Sequence, residues 1–519
     1  MKKLLAVLMA LVMLITGMSI GAFAKADVTP VIVVSGVGAK PFYMDKGTEN
    51  EKMVYPPTVD FGYVIPTAVI GITMSILTGD INVFSQTAAD LVSNIFDEFK
   101  CNADGDSKYP TVTADLYPLS VDNYDFDYAN EVSELEIAGA VAEKIGAENT
   151  FFYNHDWRLD PCANADGLQA MIDSVKEKTG SDKVVLIPCS MGGVQTVAYL
   201  YEYGCEDVDS IIFMSSAHKG LFFVSELFTG AVELNQKNIF NYLELSVGVE
   251  DPDADALLTL LLKDMGELAV LSYLFDPLND FFRAVSNETL WGALREVFGC
   301  FPGMWAFVRD EYFDDAIAFM TNEESSPVLL EKINYYHDNV GSRSDEILKD
   351  AKAAGVKISI VSHYNRGSVP VSPAASIDGD NLIETACTSN GATVALIGET
   401  LGEDYVQAVP GEHNHVSIDN KVDASTCLFP DSTWFIKGQP HVGSFYGDDD
   451  YNEFADFAVW LATSEAQPTV FATPDYPQFM ETDSSLNELN PLAEENEADY
   501  GTVIMALLSS AVDYIKNNI

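Results

Sequence analysis

Short apolar runs rich in β-branched residues recur along the chain at Val31–Val34, Thr150–Tyr153, Lys183–Ile187, Ser210–Met214, Val356–Val361 and Ser432–Lys437. Between them lie stretches with helical spacing. Leu168, Met171, Ile172 and Val175 fall at i, i+3, i+4 and i+7, and similar patterns cover Glu131–Ile145, Val194–Leu200 and Tyr451–Leu461. Buried strands alternating with amphipathic helices predict an α/β fold: a mostly parallel sheet with helices on both faces.

The alternation breaks in two places. Residues 46–128 mix loop-like runs with apolar stretches such as Val64–Leu77 and Thr87–Phe99, which reads as a lid-like insertion. Residues 218–355 are mainly helical and apolar, for example Ala256–Leu274 and Tyr312–Met320, and read as a large helical cap inserted into the sheet. Met1-Lys-Lys, the apolar run Leu4–Ile20 and Ala22-Phe23-Ala24 have the form of a secretory signal peptide over residues 1–24. The α/β domain is then expected over 25–465. An acidic, proline-bearing tail follows over 466–519, with a helix from Tyr500 to Asn518.

The densest signal is Lys183-Val-Val-Leu-Ile-Pro-Cys-Ser190-Met-Gly-Gly-Val. A buried strand passes into a helix through a turn too short for an ordinary loop. A serine there is held clear of the sheet beside the first helical N–H groups, the arrangement of a nucleophile elbow. The pattern G-x-S-x-G is met except at its first glycine, where Pro188 stands. Hydrolases of this kind take one oxyanion N–H from the residue after the nucleophile, here Met191. The other comes from the loop after an early strand, where Val31–Val34 runs into Ser35-Gly-Val37-Gly38 and offers Val37.

Nucleophile, acid and base in that chain order restrict the remaining members. His413, His415 and His441 lie late enough, and His441 is preferred because strand, loop and helix surround it. For the acid, Asp380 is preferred over Asp378 in Asp378-Gly-Asp380-Asn-Leu-Ile383, although either could orient an imidazole. His218, after a strand end, is expected to be structural. No metal site is expected: His413 and His415 lack further ligands, Asp104 and Asp106 hint at calcium only weakly, and Asp251–Asp255 lacks the glycine and glutamate of an EF-hand loop. The chemistry requires no cofactor.

A net charge of −51 excludes a general nucleic-acid binder, since phosphates would be repelled. The seven cysteines are odd in number, widely spaced and without a C-x-x-C pair, which excludes a disulfide scaffold.

Three blocks together resemble the lecithin:cholesterol acyltransferase family of α/β-hydrolases, with its lysosomal phospholipase relatives and bacterial secreted homologues. They are Val31–Gly38; Asp156-Trp-Arg-Leu-Asp160 with Ser190-Met-Gly-Gly193; and Asp378-Gly-Asp380 with Gly438-Gln-Pro-His441. The resemblance implies Ser190 as nucleophile, Asp380 as acid and His441 as base, with oxyanion N–H groups from Val37 and Met191. It implies Trp157 and Arg158 as substrate-pocket or structural residues. The lid disulfide typical of the family is not possible within 46–128, where Cys101 is alone.

The expected protein is a secreted serine hydrolase or acyltransferase acting on lipid-like esters, with transient contact to a lipid surface. Its alternatives are a carboxylesterase for soluble esters and an inactive scaffold serving as an extracellular binding protein.

Overall fold

The computed structural model describes residues 28–38, 41–57, 61–80, 82–114, 133–231, 233, 235–240, 290–323, 325–370, 372–441, 453–482 and 488–493. The expected signal peptide, Asp251–Asp255, Ala256–Leu274 and the helix Tyr500–Asn518 lie outside the described residues.

Eight strands form the central sheet: β1 (Val31–Val34), β2 (Thr150–Tyr153), β3 (Val184–Pro188), β4 (Val208–Met214), β5 (Lys357–Tyr364), β6 (Thr433–Lys437), β7 (Phe479–Thr482) and β8 (Leu489–Pro491). Their order across the sheet is β8-β7-β6-β5-β4-β3-β1-β2. Every neighbouring pair is parallel except β7 with β8. The sheet therefore does not stop at β6, where the apolar pattern ends. Two strands from the acidic tail extend it, so Phe479–Thr482 and Leu489–Pro491 belong to the same sheet as β3.

Alternate residues of each strand face opposite layers, as a strand's two-residue period requires. Ile32, Val34, Leu186, Ile211, Phe213, Ile358 and Ile360 share one core with the helices Pro161–Thr179, Gly192–Tyr203 and Ser344–Ala353. Val31, Val33, Val185, Ile187, Ile212, Met214, Trp434 and Ile436 share the other with Ser133–Ile145 and Glu453–Thr463. Burial on both faces explains why the strands read as unbroken apolar runs.

Helix Pro161–Thr179 shows how local chemistry sets the bounds. Asp160 caps it by accepting from the Cys162 N–H at 2.9 Å, Pro161 occupies the first turn, and Gly180 at φ 72° ends it in the left-handed conformation. Leu168, Ile172 and Val175 are fully buried, with Met171 nearly so.

The segment after β1 carries helices Phe61–Thr78 and Asn82–Ile95, and a three-stranded antiparallel sheet in which Phe42–Met44, just before the expected insertion, lies between Lys52–Tyr55 and Val112–Ala114. Gly71 allows the two helices to close, because a Cβ there would press on the Thr87 side chain. The second helix also packs on Leu290–Val297 of the cap. Phe96 meets Phe298 edge-on at 5.2 Å across that contact. The segments that follow β1 and β4 are thus joined to each other.

Candidate active site

The carboxyl ends of β1 to β6 carry the candidate residues. Pro188 closes β3 opposite Val34, and the next N–H, of Cys189, donates to Val34 O at 3.0 Å. The ladder thus resumes one residue after the proline, whose missing donor leaves the elbow intact. Ser190 sits at φ 49°, a left-handed conformation rare for a residue with a side chain. It is pinned there from both sides: its N–H donates to Met214 O at 3.1 Å, and its carbonyl accepts from the Ala217 N–H at 2.9 Å.

The two glycines after Met191 meet steric demands from opposite directions. A Cβ on Gly192 would fall on the carbonyl oxygen of Val34, and one on Gly193 on the Ser216 hydroxyl. Helix Gly192–Tyr203 therefore starts wedged between the ends of β1 and β4. Val37 is 38% exposed. Among the described residues, no backbone carbonyl takes up the N–H of Met191 or of Val37.

Ser190, His441 and Asp380 come together. His441 Nε2 lies 3.0 Å from Ser190 Oγ, and His441 Nδ1 lies 2.8 Å from Asp380 Oδ2. A carboxylate accepts, so Nδ1 carries the proton and Nε2 is left to accept from the serine hydroxyl. Asp380 is fully buried, and its other oxygen accepts from the Leu382 N–H at 3.1 Å and the Ile383 N–H at 2.8 Å. Burial alone would raise its pKa. The His441 imidazole and the Ile383 N–H outweigh that effect and hold the carboxyl below its ordinary range.

Asp378, the other acid weighed from the sequence, points elsewhere. It accepts from the Asn365 N–H at 2.8 and 3.0 Å and from Thr385 Oγ1 at 2.8 Å. Burial pushes its pKa up to about 7, and these bonds oppose that only in part.

Arg158 is fully buried and occupied by protein partners. It pairs with Asp156 through Nε at 2.9 Å and Nη2 at 2.6 Å, donates to Phe99 O at 2.5 Å, and lies over the rings of Phe42 and Phe99. Trp157 packs among Phe42, Tyr55, Phe99 and Phe301. Both residues thus fasten the lid-like insertion to the loop after β2. The cap joins the same point: the Gly303 N–H donates to Arg158 O at 3.0 Å, and a Cβ on Gly303 would strike Trp157 O and the Met191 side chain.

The other histidines singled out from the sequence, His218, His413 and His415, are engaged by protein groups away from the relay. His218 lies between Ser216 Oγ at 2.7 Å and Asn390 Nδ2 at 2.9 Å, and burial lowers its pKa to about 3. His413 lies against Phe471, and His415 bonds Gln478 at 2.8 Å. Asp104 bonds Ser326, and Asp106 pairs with Lys332 at 2.7 Å. Among the described residues no cluster could hold a metal ion, and all seven cysteines are free.

One neighbour of the relay has no sequence signature. His363 is buried near the end of β5, with Nδ1 at 3.2 Å from both Ser215 Oγ and Pro440 O. The apolar run ends at Val361, and the polar pair Ser362-His363 that follows hides the strand's continuation to Tyr364.

No known protein-family model matches the chain, and no curated protein matches it.

Proposed function

We propose that this chain is a secreted α/β-hydrolase, a serine esterase or O-acyltransferase that acts on lipid-like esters through an acyl-enzyme. The observation that carries the reading is the continuous relay from Ser190 Oγ through the His441 ring to Asp380, at 3.0 and 2.8 Å. The sheet order and the strained elbow are compatible with it, as is the family resemblance of the motif blocks.

In this reaction His441 Nε2 takes the Ser190 proton as Oγ attacks the ester carbonyl. The oxyanion is met by the N–H groups of Met191 and Val37, and Asp380 stabilises the imidazolium. The tetrahedral intermediate collapses to acyl-Ser190, and the alcohol leaves with the proton from His441. Water, or an acceptor alcohol, then gives a proton to Nε2 and attacks the acyl carbonyl. Collapse of this second intermediate releases the acid, or the new ester, and returns the proton to Ser190.

A lipid-like substrate is supported by helix Phe61–Thr78. Tyr63, Ile70, Met74 and Leu77 recur at helical spacing and are 55, 61, 43 and 74% exposed. Among the described residues no helix is long and apolar enough to cross a membrane, so this stripe is suited to contact at a lipid surface. The test compares hydrolysis of one ester below and above its micelle concentration. A jump in rate per enzyme above that concentration is expected, reduced when Ile70 and Leu77 are replaced by serine. A smooth saturation curve through it favours a carboxylesterase for soluble esters.

A further inference from the structure

The base of the relay hangs on one peptide plane, between Pro440 and His441. On one side its N–H donates to Asp380 O at 2.5 Å. On the other, its carbonyl oxygen lies 3.2 Å from His363 Nδ1. A carbonyl oxygen can only accept, so His363 carries its proton on Nδ1. The same N–H is shared with Ser215 Oγ, also at 3.2 Å.

Ser215 opens the turn that backs the nucleophile. It sits at φ 44°, its N–H donates to Val361 O at 3.0 Å, and two residues later the Ala217 N–H holds the Ser190 carbonyl. His363 is fixed in turn by β5, where it stands opposite Ile436 of β6, and its own carbonyl accepts from Thr385 Oγ1 at 2.9 Å.

We propose that His363 is a positioning residue of the relay, its Nδ1–H tying the loop that carries His441 to the turn that supports Ser190. The inference rests on the hydrolase reading above. A base held by its own peptide plane keeps Nε2 within reach of Oγ and Nδ1 against Asp380 without relying on those two bonds alone. The charged and titratable groups acting on His363 are Asp380, His441 and Arg366, and the ring of Phe454 packs edge-on against it. Burial lowers its pKa to about 4, so at neutral pH the ring is uncharged and the donor role of Nδ1 is constant.

The test uses the full mature protein with a fluorophosphonate probe and an ester substrate. His363→Leu removes the donor, His363→Asn restores one near the Nδ1 position, and His363→Gln places its amide near Nε2 instead. The expected result is a loss of about 10- to 100-fold in labelling rate and kcat for Leu and Gln, with KM little changed and substantial recovery in Asn. The acidic limb of the pH profile of kcat/KM should also move to lower pH in Leu and Gln, because an imidazole loosened from Asp380 is a weaker base. Lost stability alone would lower the active fraction and leave that limb in place. Should Leu not fold, the Asn and Gln pair decides. Ser190 labelling that is indifferent to residue 363, or equal in Asn and Gln, overturns this inference alone. No Ser190 labelling in the unaltered protein overturns the hydrolase reading and this inference with it.

Discussion

Asp378 and Asp380 stand two residues apart in one loop, and their surroundings drive their carboxyl groups in opposite directions. Both are buried, which raises a carboxyl pKa. Only Asp380 faces an imidazole, which together with the Ile383 N–H outweighs burial, while Asp378 accepts from a backbone N–H and a hydroxyl and remains raised to about 7. Composition and order could narrow the acid to this pair but not choose within it on physical grounds, since the choice depends on which way each side chain turns. His155 shows burial without compensation. Both its ring nitrogens are buried with no partner, it stacks on Tyr153, and its pKa falls to about 4. His155→Phe, which keeps the stacking and removes the two nitrogens, is expected to stabilise the protein by about 1–3 kcal/mol at neutral pH. The sign of its pH dependence follows from linkage. Between about pH 6.5 and pH 4 the unfolded chain binds a proton that the folded histidine refuses, so stability falls with pH through that window. The phenylalanine variant lacks this loss, so its advantage should grow by about 2 kcal/mol on going to about pH 5. Denaturation midpoints at the two pH values measure it, and an advantage that shrinks on acidification would contradict the account.

At the scale of elements, the elbow is a problem of space. Helix Gly192–Tyr203 must begin where β1 and β4 end, and its first residues have no room for side chains. Gly192→Ala would drive a Cβ into a backbone carbonyl of β1, which cannot swing aside as a side-chain tip can. It is expected to cost about 1–3 kcal/mol. Gly292→Ala is the matched control: it lies within helix Leu290–Val297 with open space around its Cα, and should gain about 0.5–1 kcal/mol. Chemical denaturation of the two variants measures both, and equal effects would contradict the packing argument. The sheet's inner strands were legible because burial on both faces makes them apolar throughout. The same rule explains what was not legible. β7 and β8 lie at an edge, carry Glu481, Thr482, Asn490 and Pro491, and follow a proline-bearing acidic stretch that reads as tail. Likewise β5 continues through Ser362, His363 and Tyr364, where two polar residues interrupt the apolar pattern before the strand ends in the buried Tyr364.

At the scale of the whole molecule, two insertions converge on the loop after β2. The lid-like segment reaches it through Phe99 O and Ser107 to Arg158, and the cap reaches it through the Gly303 N–H to the Arg158 carbonyl. That junction packs against the side chain of Met191, the residue after Ser190. The D-W-R triplet was visible in the sequence, but its burial was not, because a buried arginine is revealed only by the carboxylate, carbonyl and rings folded around it. The relay itself holds one buried carboxylate facing one imidazole.

Everything functional in this account depends on Ser190 being an activated nucleophile. The most direct measurement is reaction of the purified mature protein with a fluorophosphonate probe, the modified residue located by peptide mass spectrometry, with Ser190→Ala, Asp380→Asn and His441→Ala alongside. Modification is expected at Ser190 alone, abolished in Ser190→Ala and reduced by about 10⁴-fold or more in the other two. No modification, or modification of another residue that persists in all three variants, would contradict it and leave the fold as an extracellular binding scaffold.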